Sequence, residues 1–137
     1  MNNKNKLHIL VQSFSYKKSG IPKDDSGNGG GFVFDCRGVL NPGRIEQYKS
    51  QTGMDKGVRE YLETQTAMPA FINHIKGIID ITVQDYIARK FDHLMISFGC
   101  TGGQHRSVYG ADVIANYLRE KYDAEVSVLH VEQPQLN

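Results

Sequence analysis

The residues best suited to chemistry are crowded into one stretch, Gly99-Cys100-Thr101-Gly102-Gly103-Gln104-His105-Arg106-Ser107. It follows the apolar run Leu94-Met95-Ile96-Ser97-Phe98 and precedes a helical pattern. A strand that stops at a glycine-rich loop and restarts as a helix makes an anion cradle. The first amides of a helix have no internal partners, and the helix dipole is positive at that end. Glycines at 99, 102 and 103 keep side chains clear of the backbone, and Ser107 opens the helix. Arg106 and His105 add a guanidinium fork and an imidazole at the same place. A tight turn alone needs the glycines, but not a cysteine, an arginine and a serine beside them. Thr101, Gly102, Gly103, Gln104, His105, Arg106 and Ser107, with Cys100, are therefore expected to bind a phosphate-like anion.

Five residues separate Cys100 from Arg106, which is the spacing of the phosphate loop in cysteine-dependent phosphatases. In that chemistry the helix and the arginine lower the thiol pKa, the thiolate attacks phosphorus, and the guanidinium holds the equatorial oxygens. Gly99 stands where those enzymes usually carry a His, and Asp35 is the acid to consider for proton transfer. Catalysis by Cys100, Arg106 and Asp35 is the alternative to simple binding, set against a Cys100 that only packs. A second wall for the anion is expected from Ser13, Tyr16 and Lys17 after the first strand, and from Asp35 and Arg37 at the end of the second. Asp35 and Arg37 are two apart on a strand and so share a face; their other reading is a local ion pair.

These residues need elements to hold them. Leu7 to Ser13 reads as a buried strand, Phe32 to Arg37 as a second, Leu94 to Phe98 as a third and Glu125 to His130 as the last. Asp24 to Gly31 has the composition of a mobile, exposed loop, and Arg44 to Lys56 reads as polar loop or short helix. From Asp55, a capping candidate, Val58, Tyr61 and Leu62 form a helical stripe. A second helix, with Pro69 in its first turn, carries Met68, Phe71, Ile72, Ile75, Ile78, Ile79, Val83, Tyr86 and Ile87 as an expected core face. Val108, Ala111, Ala115, Leu118 and Tyr122 give the helix after the glycine loop its own stripe. Strands separated by helices indicate an α/β fold: one layered domain over residues 1–137 with a mainly parallel sheet of about four strands, ending in a polar tail at 132–137. Ligands in such sheets gather at the carboxyl ends of strands, where the candidate residues fall.

Composition narrows the function. Sixteen basic against fifteen acidic side chains leave a net charge of +1, which gives no field for gathering a polyanion. No apolar stretch approaches a membrane span, no apolar leader precedes the first strand, and two cysteines without a disulfide pattern fit a reducing cytoplasm. Nothing matches the nucleotide loop G-x-x-x-x-G-K-[ST], so ATP or GTP binding is not expected; no other cofactor and no metal is expected either.

The run Gly99 to Tyr109, together with Ser13-Phe14, Gly20-Ile21-Pro22, Val33 to Arg37, Asn41-Pro42 and Thr52-Gly53-Met54-Asp55, resembles the C-terminal domain of the RapZ family of bacterial RNase adapter proteins. The resemblance runs along nearly the whole chain. It implies an α/β domain similar to a phosphofructokinase subdomain that binds glucosamine 6-phosphate and, in the enterobacterial adapters, a small regulatory RNA, without catalysis. Gly43 stands where many members of that family carry a His, and Val131 to Gln135 replace a basic tail. The expectation is a metabolite-sensing domain for a phosphorylated small molecule, an amino-sugar phosphate first, with a regulatory adapter role. A protein partner, RNA and a second copy of the chain are its other candidate partners, and no membrane.

Overall fold

The computed structural model describes residues 6–137. Its sheet has four parallel strands, β1 (His8–Ser15), β2 (Phe32–Asp35), β3 (His93–Cys100) and β4 (Glu125–His130), in the order β2-β3-β1-β4. Three helices connect them: α1 (Lys56–Gln65), α2 (Met68–Ala88) and α3 (Arg106–Lys121). The α/β class and the strand count match the expectation.

Handedness explains where the layers lie. The β2 to β3 and β3 to β4 connections travel the same way across the sheet, so right-handed crossovers put α1, α2 and α3 on one face. The β1 to β2 connection travels the other way and crosses the opposite face. That crossover is the glycine-rich loop, which folds onto the sheet instead of standing free. Asp24 gathers it by accepting from the Ser26 and Gly30 amides and the Ser26 hydroxyl, and Asn28 Nδ2 donates to the His93 carbonyl.

The core is built on the helical face. Ile9 and Val11 of β1 and Leu94, Ile96 and Phe98 of β3 meet Val58, Leu62, Ile72, Ile75, Ile79 and Val83, all buried. Ile114, Ala115 and Leu118 complete it from α3. Polar ties fix the helices to one another: Arg59 pairs with Asp112 at 3.2 Å, Tyr109 Oη donates to Glu63 at 2.9 Å, and Asp80 accepts from Tyr117, Tyr122 and Lys121.

Three local expectations need correction. The second strand ends at Asp35, and Cys36–Gly38 is a 3-10 turn because the Asp35 carboxylate accepts the Arg37 amide and bends the chain. Asp55 does precede α1, but its carboxylate accepts the Thr52 amide at 2.7 Å rather than capping the helix. In α2, Ile78 and Ile87 lie outside the core, 47% and 38% exposed, because that helix is apolar on more than one side. Among the described residues no helix is long and apolar enough to cross a membrane.

Candidate anion-binding site

The loop after β3 is positioned by contacts that leave little freedom. Gly99 lies under two rings: a Cβ there would come within 2.4 Å of Phe14 Cζ and 2.5 Å of Tyr16 Cε2. Gly103 adopts φ +64°, and a Cβ would press on Glu132 and the Phe14 backbone. These two glycines therefore serve packing, and Gly102, with open space above it, is the one that lines a concavity. The helix begins one residue earlier than the serine suggested, at Arg106, with His105 in the preceding position.

The crevice between β1 and β3, where the chain crosses to opposite faces, is closed. Ser15 Oγ donates to the Thr101 carbonyl at 2.6 Å, the Tyr16 amide donates to the Cys100 carbonyl at 3.0 Å, and Glu132 accepts the Ser15 and Ser19 amides. Although burial opposes it, these hydrogen bonds hold the Glu132 carboxyl below its ordinary pKa. The open space lies one strand over. A concavity of about 210 Å³ is lined by Cys100, Thr101, Gly102, Gln104, His105 and Arg106 on one side and by Asn41, Gly43 and Lys49 on the other. Its volume is below the roughly 300–1,000 Å³ of a drug-sized pocket, a size for a phosphate and a small body.

Arg106 is the unusual group. It is 4% exposed, and its Nη1 donates to the carbonyls of Val39 at 2.7 Å and Arg37 at 3.2 Å. Its Nε is buried with no partner, and no carboxylate among the described residues forms an ion pair with it. A buried cation without an anion is costly, and an oxyanion placed here would satisfy both the charge and the fork.

Its neighbours set the rest of the wall. His105 Nε2 donates to the Tyr48 carbonyl at 2.8 Å, which assigns the proton to Nε2 and leaves Nδ1 as an acceptor beside Gly43. Burial pushes the His105 pKa down, so the ring is neutral near pH 7. Gln104 Nε2 donates to the carbonyls of Lys49 and Gln51, tying the loop to the opposite wall. Gly53 abuts the start of α3 so closely that a Cβ would lie 2.3 Å from the His105 oxygen and 2.4 Å from the Tyr109 amide nitrogen. Its own amide donates to the Gln104 carbonyl at 2.9 Å. This explains the Thr52-Gly53-Met54-Asp55 motif: the glycine is the surface on which the loop after β3 rests.

The remaining candidates are spread out. Ser13 points to the helical face, is fully buried, and shares a 2.7 Å hydrogen bond with His130 Nδ1, so it does not reach the concavity. Burial also lowers the His130 pKa. Lys17 is exposed and does not line it. Ser107 is buried and accepts from Cys100 Sγ at 3.1 Å. Asp35 and Arg37 form the local ion pair: Arg37 Nη2 donates to Asp35 Oδ2 at 2.7 Å and Nε to Oδ1 at 2.9 Å. That bond holds the Asp35 carboxyl below its ordinary pKa. The Arg37 guanidinium also stacks 3.9 Å over the Tyr16 ring, joining three of the candidates beside the loop. Sequence reading left Asn41, Gly43 and Lys49 out of the site. The available signal was Asn41-Pro42-Gly43, in which Asn41 Oδ1 accepts the Gly43 amide and starts the 3-10 turn that forms the wall.

Comparison with known proteins shows what the chain is similar to. The sequence profile of the RapZ C-terminal domain matches residues 7–134. A protein named nucleotide-binding protein from Endomicrobium trichonymphae is 39% identical over 115 residues, which are 84% of this chain and 38% of that protein. One of the same name from Xylella fastidiosa strain M12 is 39% identical over 127 residues, 93% of this chain and 42% of the relative. One from Xanthomonas campestris pv. campestris strain B100 is 35% identical over 133 residues, 97% and 45% respectively. The chain thus spans about two-fifths of the length of the curated relatives it matches.

Proposed function

The chain belongs to the RapZ C-terminal domain family, and from that premise we propose that it binds a phosphorylated small molecule, an amino-sugar phosphate first, as a sensing domain with a regulatory adapter role. The observation that carries the reading is Arg106, a buried guanidinium with an unpartnered Nε beside an open concavity. The phosphate would take Arg106 and the amides that start α3. The body of the ligand would lie toward Asn41, Gly43 and Lys49, where His105 Nδ1 accepts from a hydroxyl or an amine.

Binding rather than turnover suits the other groups. The Cys100 thiol is 2% exposed and donates to Ser107, so it is held as a buried packing group rather than presented for attack. Asp35 is occupied by Arg37. An RNA role is weak for the isolated domain at physiological salt, since the net charge is +1 and phosphate-backbone affinity follows the number of available cations. A downstream protein is the reader this role requires.

The test is calorimetry with glucosamine 6-phosphate, glucosamine and inorganic phosphate on the same protein. The expected order is the sugar phosphate, then phosphate, with glucosamine alone unbound. Equal binding of glucosamine and its phosphate would remove the anion from the reading. Hydrolysis of the sugar phosphate that is abolished by Cys100→Ser would replace the sensor with a phosphatase.

A further inference from the structure

The sheet face away from the helices has an enclosure of its own. Strand alternation puts Leu10 and Gln12 of β1, His93, Met95 and Ser97 of β3 and Leu129 of β4 on that face. The β1 to β2 crossover roofs it. Between roof and sheet lies a concavity of about 400 Å³, floored by Leu10, Gln12, Met95 and Leu129, roofed by the stretch from Lys23 to Ser26, and closed at one end by His93. That volume falls within the roughly 300–1,000 Å³ of small-molecule sites, which the concavity beside Arg106 does not reach.

The roof is anchored, and its charges cancel. Asp24, which gathers Ser26 and Gly30, also lies 3.7 Å from His93 Nε2, and a Cβ at Gly31 would collide with the Met95 carbonyl. At the rim, Lys23 and Asp25 are exposed and opposite in sign, so the mouth favours neither an anion nor a cation. The floor is apolar except for one group. Gln12 is 6% exposed, and its Oε1 has no hydrogen-bond partner among the described residues. Ser97, beside it in register, has a buried Oγ in the same condition. Leucine or methionine would complete this floor without an unmet polar group, so packing does not account for the amide. A primary amide carries donor and acceptor side by side and presents either by turning over about its last bond. Its complement is the adjacent N–H and C=O of a cyclic amide.

We propose that this concavity binds an uncharged, planar cyclic amide, its ring lying on Leu10, Met95 and Leu129 and its N–H and C=O paired with the Gln12 side chain. The class takes in free heterocycles and the bases of nucleosides alike. The site lies across a face of the sheet, whereas the anion site lies at the carboxyl edge, and the two share no lining residue. Failure of one leaves the other standing.

Titration of the full chain with 2-quinolone and with 1-methyl-2-quinolone, followed by backbone amide NMR, tests it. The methyl group removes the N–H and keeps the ring. Saturable shifts are expected at the floor and roof residues, with the methylated probe at least roughly tenfold weaker. Uridine against 3-methyluridine repeats the comparison on a nucleoside, and whichever N–H form binds more tightly identifies the source of the ring. Gln12→Met keeps the length of the side chain and removes the amide. It should melt no lower than the parent, since an unmet polar group is lost, and should bind each methylated probe as well as its N–H partner. Equal binding of all matched probes by the parent, shifts confined to residues outside the concavity, or no shift at millimolar probe would each overturn the proposal, and none of these depends on the variant. A lower melting temperature for Gln12→Met would show that the amide is satisfied within the fold and would count against the site.

Discussion

Arg37 and Arg106 stand at the same carboxyl edge of the sheet and are held in opposite ways. Arg37 is 43% exposed along its side chain, paired with Asp35 and stacked on Tyr16. Arg106 is buried, fixed by two carbonyl oxygens, and has no carboxylate partner among the described residues. An exposed pair in water contributes about 0–1 kcal/mol and asks for nothing more. A buried, unpaired guanidinium is a standing demand for an anion. The difference is why the proposed site is built on Arg106 rather than on Arg37, a choice that residue type alone does not make.

The largest expected effect comes from removing the buried group. Arg106→Ala should weaken glucosamine 6-phosphate binding by about 10- to 100-fold, the range for a lost charge-assisted hydrogen bond. Because Arg106 also braces the carbonyls of Arg37 and Val39, Arg106→Lys is the control. It keeps the charge but loses the fork, and should lie between the parent and the alanine variant in calorimetry. Equal affinity for all three would erase the contrast between the arginines. Gly53→Ala comes next: the added methyl meets His105 and Tyr109 backbone, which cannot move aside as a side chain can. A loss of about 1–3 kcal/mol in denaturant unfolding is expected, with ligand affinity falling alongside. Arg37→Ala should reduce affinity only a few-fold, because its cost falls on an exposed pair.

Much of the frame was legible in the sequence, and the misses have physical causes. Leu94 to Ser107 announced strand, glycine loop and helix because the apolar run, the glycines and the new periodicity are all local signals. The four strands followed for the same reason. The opposite wall was not legible, since tertiary contacts bring Asn41, Gly43 and Lys49 to the loop: Gln104 and His105 donate to carbonyls of residues 48–51, and Arg106 to those of Arg37 and Val39. Ser13 illustrates the converse. Its position at the end of the expected strand suggested a ligand, but β1 runs on to Ser15 and strand alternation turns Ser13 inward to His130, a partner 117 residues away. Gly53 read as part of a polar loop or short helix and of the Thr52-Gly53-Met54-Asp55 motif, and only the tertiary fold shows that α3 rests on it.

Acid should reach the two arginines in sequence. Burial lowers the pKa of His105 and of His130, so both are neutral in the folded protein while their unfolded forms titrate near 6.5. The unfolded chain binds more protons below that value. Stability from these two groups is therefore full above about pH 6.5 and is lost as pH falls toward their lowered folded values. Asp35, held down by Arg37, contributes above the unfolded carboxylate value near 3.9 and loses its share only below it. Melting temperatures from pH 8 to 3 should show a first decline that includes the wall beside Arg106 and a later one that includes Arg37. His105→Gln should flatten the first and spare the second. A melting temperature that rises between pH 7 and 5 would contradict the assignment of neutral, buried imidazoles.

The smallest effect is expected at Lys17, and it tests the comparison from the other side. If any cation near the loop could serve the anion, Lys17 would be a natural contributor, since it follows the strand beside β3. Its side chain is exposed, and it lies outside the concavity that Arg106 and Lys49 line. What anchors this segment is backbone: the Lys17 and Lys18 amides both donate to Ser15 Oγ, which itself donates to the Thr101 carbonyl. Truncating the side chain leaves those bonds in place and removes only a solvated charge, whose reach falls off over roughly 10 Å at 0.1 M salt. Lys17→Ala should thus keep sugar-phosphate affinity within about twofold at physiological salt, with a slightly larger change at low salt from the lost long-range field. Ser15→Ala, by contrast, cuts the link between this turn and the Thr101 carbonyl and should weaken binding more than Lys17→Ala, although serine carries no charge. If the order were reversed, proximity of charge rather than buried, organised geometry would govern the site, and the distinction drawn between Arg37 and Arg106 would fall with it.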